Sequence, residues 1–374
     1  MTPKKRCENC LINSSLHRLL CLPAALALTG NISLAYEFEV RDTPLSMGGV
    51  ISSAVQCHET SCFAALPFQP ELSLRPGTGH EVFFKLGFAA DNSGRVDSPF
   101  NIAPWAADLE ANVENINGGS RSNLLNAWYG YTAELPSGGT FTTHAGIIDA
   151  TQYLDQNSFS NDEYTQFMNS ALVNGPNVFL PSYDTGLALA WSGSHWSTSG
   201  VYMHVGENDH DNAFNFVGLQ LGYQTTTSLG DGNYRLVVDT TDRQFEDPTG
   251  TSLERCSGVL FSADQKIGDT VGLFTRLGWQ DDGAAVDYSA LYSGGIDLQG
   301  SAWNREHDNL GIGYAYLTGG NGDLRRSQVM EAYYRVAVNN YLSLTGDVQY
   351  MHDDRVSGEN PRGFILGIRM AVEF

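Results

Sequence analysis

Lysine all but disappears from this chain after its first few residues: beyond Lys4 and Lys5, only Lys85 and Lys266 occur. Charge of either sign is scarce, at 17% of 374 residues, where a soluble domain carries about a quarter. Bases are outnumbered, with 21 Lys and Arg against 42 Asp and Glu. That balance excludes a nucleic-acid partner, which needs a basic face. Past the N-terminus there is no apolar run of about 18 residues, so no helix there can span a bilayer. The nine His residues form no His-Glu-x-x-His pair, and Gly-x-Ser-x-Gly does not occur. Neither motif-based metal sites nor a serine-hydrolase elbow are expected, and we expect no catalytic residue, metal or cofactor. Disorder is excluded as well, because 18 Phe, 17 Tyr and 6 Trp are far more aromatics than disordered chains carry.

The first 35 residues read as an export signal. Lys4, Lys5, Arg6 and Arg18 make a basic leader, Leu19 to Leu28 are apolar apart from Pro23, and Ser33-Leu34-Ala35 is a small-x-small cleavage site. The mature protein is then a single domain, residues 36–374, beginning at Tyr36. Cys7 and Cys10 fall in the removed part and take no metal or redox role. In an oxidising compartment Cys57 and Cys62 can close a small loop, with Cys256 left over.

The rhythm of the remaining chain is alternation. At its end, Phe364, Leu366, Ile368, Met370, Val372 and Phe374 share one face, while Gly363, Ile365, Gly367, Arg369, Ala371 and Glu373 fall on the other. Successive strand side chains point to opposite sides, so such a segment is greasy on one side and small or polar on the other. The same pattern recurs at Leu342–Tyr350, Val271–Gln280, Leu310–Tyr316, Tyr234–Thr241 and Val82–Phe88. A soluble sandwich also alternates, but with shorter strands of about 5–6 residues, and its polar face meets water. Here the greasy face is fringed with Tyr314, Tyr316, Tyr333, Tyr334, Tyr341 and Tyr350, residues that favour a membrane–water boundary. The fold class is therefore all-β: a transmembrane antiparallel β-barrel, of roughly 16 strands at a hairpin spacing near 20 residues per strand. A barrel of that size encloses a water-filled lumen.

Ser137-Gly138-Gly139, Gly230-Asp231-Gly232-Asn233, Ile267-Gly268-Asp269 and Asn339-Asn340 supply tight turns. Asp91 to Gly119 and Tyr153 to Tyr183 are the longest irregular stretches. A long insert of this kind is usually functional; it either folds inward to narrow the lumen or stays on the surface as a loop. Glu207-Asn208-Asp209-His210-Asp211 offers oxygen ligands but lacks EF-hand spacing, so it reads as a solvated loop, and whether Asp209 and Asp211 take a cation stays open.

The C-terminal third holds a set of distinctive segments: Thr275-Arg276-Leu277-Gly278-Trp279-Gln280-Asp281, Tyr292-Ser293-Gly294-Gly295-Ile296, Asp308-Asn309-Leu310-Gly311-Ile312-Gly313-Tyr314, Glu331-Ala332-Tyr333-Tyr334-Arg335, Leu344-Thr345-Gly346-Asp347-Val348-Gln349-Tyr350 and Gly363-Phe364-Ile365-Leu366-Gly367-Ile368-Arg369. As a group they resemble the carbohydrate-selective porin family, the OprB type. Leu125-Asn126-Ala127-Trp128-Tyr129 and Glu163-Tyr164-Thr165-Gln166-Phe167-Met168 look similar too. The resemblance implies a passive sugar channel in the outer membrane, a 16-stranded barrel, no cofactor and no enzyme activity. It implies that Phe374 is an assembly signal for the barrel-insertion machinery, and that the chain works as a monomer or a homotrimer among outer-membrane lipid and lipopolysaccharide. Residues 36–75 match no pattern of the family. Other readings are a porin for other solutes and, further off, an outer-membrane enzyme.

A sugar path needs groups that donate and accept hydrogen bonds. Arg276, Gln280, Glu331, Arg335, Asp347, Gln349 and Arg369 all fall on the polar face, and Arg235 and Asp239 join them. These nine are the substrate-path candidates; for any single one, the plainer role is a structural pair that ties the wall together.

Overall fold

The computed structural model describes residues 36–40, 43–59, 61–91, 99, 115–121, 123–136 and 138–374. The predicted leader, 1–35, and most of the predicted Asp91–Gly119 loop lie outside the described residues. The wall begins with β1 (Thr43–His58), β2 (Ser61–Gly77) and β3 (His80–Leu86, continued past Gly87 by Phe88–Asp91). It continues with β4 (Leu124–Glu134), β5 (Thr140–Ile148), β6 (Asp184–Ser192) and β7 (Trp196–Val205). Next come β8 (Phe214–Thr226), β9 (Asp231–Thr241), β10 (Ser257–Ile267) and β11 (Val271–Gln280). The last five are β12 (Tyr288–Gln299), β13 (Asn309–Gly319), β14 (Leu324–Ala337), β15 (Leu342–Arg355) and β16 (Arg362–Glu373). Each strand pairs antiparallel with the next, and β16 pairs with β1 from Val50↔Glu373 to His58↔Ile365, closing a barrel of 16 strands. Closure leaves no open edge, which is what a sheet in lipid requires.

The alternation sorts as the periodicity predicts, except that Tyr333, expected on the greasy face, points inward and is buried in the interior cluster. On β16, Phe364, Leu366 and Ile368 are 63%, 61% and 69% exposed, while Ile365 and Arg369, on the opposite face, are buried. Apolar side chains of this size standing outward around a whole barrel form a lipid-facing surface. The predicted tight turns lie at the end of the barrel where β1 begins and β16 ends (Ser137 falls outside the described residues), and Gly138, Gly139, Gly230 and Gly268 have positive φ there. Two are narrower than predicted: Asp231 already pairs with Thr226, so Gly230 alone of the Gly230–Asn233 run lies in the turn, and Ile267 pairs with Val271 as the last residue of β10. Short turns on that side mark it as periplasmic and the opposite end as extracellular. Cys57 and Cys62 are joined, S–S 2.05 Å, at the extracellular tip of the β1–β2 hairpin, and Cys256 is buried and takes no part in that disulfide.

The seam has a particular construction. A short strand, Tyr36–Val40, pairs with the first part of β1, from Val40↔Thr43 to Tyr36↔Met47, in line with the end of β16. Where the two meet, Phe374 exchanges backbone hydrogen bonds with Gly49, at 2.8 and 3.0 Å. Gly49 has φ +147, and a Cβ there would lie 2.4 Å from the Gln69 carbonyl oxygen on β2. We expect Gly49→Ala to destabilise the closed barrel by about 1–3 kcal/mol through backbone strain, read as a lower temperature for the shift from folded to unfolded mobility on a detergent gel. Gly346→Ala, where an added Cβ meets nothing within 4 Å, should leave that temperature unchanged.

Candidate functional site: an anchored loop inside the barrel

The stretch between β5 and β6 runs into the interior rather than over the surface. Its local structure is built by side-chain caps. Asp149 accepts from the Thr151 backbone N–H at 2.9 Å to start a short 3-10 turn, Ala150–Gln152. Asn169 accepts from the Ala171 N–H at 3.1 Å to start a single helical turn, Ser170–Val173. Asx caps of this type supply acceptors for the first backbone N–H groups of a turn. Burial pushes the Asp149 carboxyl up to about 7, against the hydrogen bonds from Thr151 that pull it down, so this group at the loop's base changes charge close to neutral pH.

Buried charges of the wall hold the loop. The Arg276 guanidinium, on β11, donates from Nε to both oxygens of Asp155 at 2.9 and 3.0 Å, from Nη1 to Ser160 Oγ at 2.8 Å, and from Nη2 to the Ser160 carbonyl and to the Val173 carbonyl at 3.1 Å. Asp155 sits at φ 56, a left-handed conformation that Asp tolerates better than most residues. It also accepts from the Gly175 N–H at 2.8 Å, and its own N–H donates to Gln220 on β8 at 2.9 Å. On β14, Glu331 accepts the N–H groups of Met168 at 2.5 Å and Asn169 at 2.9 Å. Gln349, on β15, accepts from Asn169 Nδ2 at 3.0 Å and donates to Asp347 at 3.0 Å. Arg369, on β16, donates to the carbonyls of Glu163 and, at 2.9 Å, Gln166. Arg276, Glu331, Gln349 and Arg369 have no solvent-exposed surface.

Between these anchors the loop packs as a core. Phe159, Phe167 and Leu172 join Phe274, Leu291, Leu317, Val329 and Tyr333 of the wall. Tyr153, Leu154, Val178 and Leu180 join Trp128, Met203, Phe216, Val237 and Leu260. The lumen is thus not water-filled throughout, as the strand count alone predicts; wall positions such as Phe274 and Leu317 point inward and are covered by the loop. Apolar contact supplies most of the gain on burial, while the charges fix where the loop lies.

A family model described as "Carbohydrate-selective porin, OprB family" matches residues 106–374. The chain belongs to the OprB family of carbohydrate-selective porins. It is 29% identical over 275 residues to an uncharacterized protein of Aquifex aeolicus, covering 74% of this chain and 76% of that one. It is 26% identical over 237 residues to Porin AaxA of Chlamydia pneumoniae, where the match spans 58% of this chain and about half, 52%, of that porin's length. Among solved structures, the fold is similar to the high-pH structure of Pseudomonas putida OprB, with TM-score 0.66, 14% identity and coverage of 89% of this chain and 94% of the other. It is also similar to Vibrio cholerae OmpT with loop L8 deleted, with TM-score 0.53, 11% identity and coverage of 89% and 99%. As a porin of this family the protein is a carbohydrate channel of the outer membrane and not an enzyme.

The porin's nine predicted lumen residues divide into groups. Arg276, Glu331, Gln349 and Arg369 meet at the loop as described, and Asp347 reaches it through Gln349. Asp239, on β9, accepts from the Phe179 N–H at 3.3 Å. Arg235 reaches the loop at one remove: it pairs with Asp264 at 2.6 Å, and Asp264 accepts from Ser158 Oγ at 2.9 Å. Arg335 and Gln280 stand apart. Arg335 lies near the periplasmic rim, 3.6 Å from Glu373, and Gln280 lies at the extracellular end of β11, donating to the Tyr288 carbonyl at 2.5 Å. Asp155, Ser160, Gln220 and Asp264 are missing from the sequence reading. For Gln220 and Asp264 the alternation of β8 and β10 was a usable signal; for Asp155 and Ser160, in an aperiodic stretch, there was none. The pair Glu71–Lys85, at 3.5 Å on the β2–β3 wall, is likewise an inward-facing charge pair. Among the described residues no group of His, Cys, Asp and Glu is placed to hold a metal, the Glu207–Asp211 run included.

Removing one partner of a buried ion pair strands the other's charge and costs about 3–5 kcal/mol. Arg276→Met and Asp155→Leu should each lower the thermal stability of the folded barrel by that order. The double variant should lose clearly less than the sum, because no unpaired charge remains; simple additivity in the unfolding temperatures would show that the pair does not couple.

Proposed function

We propose that the loop from Asp149 to Tyr183 is the fixed selectivity element of a passive channel, and that small, uncharged carbohydrates diffuse downhill past its edge. The observation that carries this reading is the number of wall charges spent on holding the loop rather than standing free. A filter must bind weakly enough to release its cargo, and a loop fixed by four fully buried side chains presents a pore edge of constant shape. The predicted lumen charges then act on selectivity through the loop they position. What solutes touch is the loop's own edge and whatever inward-facing wall it leaves uncovered, where amides and carboxylates match sugar hydroxyls.

Single-channel recording in planar bilayers tests this. Replacing residues 156–178 by a short Gly/Ser linker should raise ion conductance several-fold and abolish the reduction of current by added sugars. If the shortened protein discriminates among sugars as the full chain does, the filter lies elsewhere.

We also infer that Phe374 serves in assembly as well as in the wall. Its backbone completes the seam at Gly49, and its ring lies 6.4 Å from that of Phe68. Deleting Phe374 should sharply lower the amount of barrel in the outer membrane, whereas Phe68→Leu, which spares the terminus, should not.

A further inference from the structure

Among the described residues, positive charge on the outward face gathers near the extracellular ends of β14 to β16. Register across β13 to β16 places Tyr314, Met330, Tyr350 and Phe364 in a single row. The next row toward the extracellular end is Tyr316, Gln328, His352 and Arg362, and the row beyond is Thr318, Arg326 and Asp354. A β-bulge between Leu324 and Arg326 inserts Arg325 as an extra residue. Bulges re-aim side chains, and this one turns two consecutive arginines toward the same side. Arg325 lies 3.8 Å and Arg326 3.2 Å from the same carboxylate, Asp354, and the two side chains are 59% and 44% exposed. Arg362 is exposed, and among the described residues no carboxylate lies within ion-pair distance of it. Two guanidinium groups therefore share a single carboxylate, and a third, Arg362, stands beside them without one, on a chain whose formal charge is −21.

The position is as informative as the charge. Directly below the patch is the aromatic and apolar row, with the rings of Tyr350 and Phe364 5.1 Å apart. Below that runs the most exposed apolar column of the barrel, Phe364, Leu366 and Ile368. Cations above an aromatic band above a greasy surface match the sequence of layers in a lipid leaflet: headgroup, interface, acyl chain. The outward-facing positions at the extracellular ends of β5 to β10, namely Ile147, Thr185, His204, Asn215, Thr240 and Ser257, include no Lys or Arg. The leaflet at this end is the outer one, whose characteristic anion is a phosphorylated glycolipid. Guanidinium forks engage phosphate with paired, charge-assisted hydrogen bonds.

We propose that Arg325, Arg326 and Arg362 form a binding site for the phosphate groups of lipopolysaccharide, with its acyl chains lying along Phe364, Leu366 and Ile368. The site is built on the outer wall of the barrel and is independent of the loop inside it. Protein purified free of glycolipid is titrated with lipopolysaccharide, with its dephosphorylated form and with phosphatidylglycerol, and binding is followed by native mass spectrometry. Wild-type protein should bind lipopolysaccharide at least about tenfold more tightly than either of the others, since each lost charge-assisted contact is worth roughly a factor of ten or more. Arg326→Gln with Arg362→Gln should lose that advantage while single-channel conductance stays that of the wild type. Arg243→Gln with Arg255→Gln, in the loop before β10, should bind as the wild type does. Equal binding by the Arg326/Arg362 double variant, or equal binding of the dephosphorylated glycolipid, overturns the site. Equal binding of phosphatidylglycerol overturns its specificity for the glycolipid's phosphates.

Discussion

A peptide group left without a hydrogen-bond partner in hydrocarbon costs several kcal/mol, and every other feature of this porin is arranged around avoiding that cost. It forces the sheet to close from β16 back onto β1. Closure fixes which residues face lipid and which face inward, because side chains alternate and no strand can turn over without exchanging its whole set of neighbours. Phe364, Leu366 and Ile368 are exposed for the same reason that Arg369 is buried.

Closure also sets the electrical conditions of the interior. An inward arginine in a wide aqueous pore would be solvated and cheap. Once a loop with its own apolar residues covers it, the same group stands in a medium of low effective dielectric and must be paired or hydrogen-bonded. Arg276 answers with five contacts to three loop residues, Asp155, Ser160 and Val173, and Glu331 with two backbone amides. The loop in turn has no regular structure with which to satisfy its own backbone, so the wall's charges serve as its missing partners. Loop and wall are each incomplete alone, which explains why so much charge is committed to a segment with only two short helical turns.

What could be read from the sequence follows the same division. The strands, their faces and their approximate number were legible because lipid and lumen impose a strict period of two on Val271–Gln280 or Gly363–Phe374. The nine inward polar residues were legible as inward. Their partners were not, because Met168 and Asn169 lie more than a hundred and sixty positions from Glu331 and no periodicity connects a loop to a strand. The apolar part of the interior was hidden for a related reason. Phe274 and Leu317 occupy the polar face of their strands, and only the presence of Phe159, Phe167 and Leu172 makes that placement favourable. Tight turns were marked by glycine, yet the run Gly230–Asn233 also began a strand, so composition alone overestimated the length of that turn.

The seam carries a temporal consequence. Because β1 hydrogen-bonds to β16 and Gly49 to Phe374, the cylinder cannot be completed until the sixteenth strand has been made and exported. Every shorter nascent or proteolysed fragment keeps two raw strand edges, and exposed edges recruit other chains. The contact of greatest sequence separation is thus also the one that removes the last adhesive margin, and loop-closure entropy makes it late to form. For most of its history before insertion, this protein therefore depends on being held apart from its own copies.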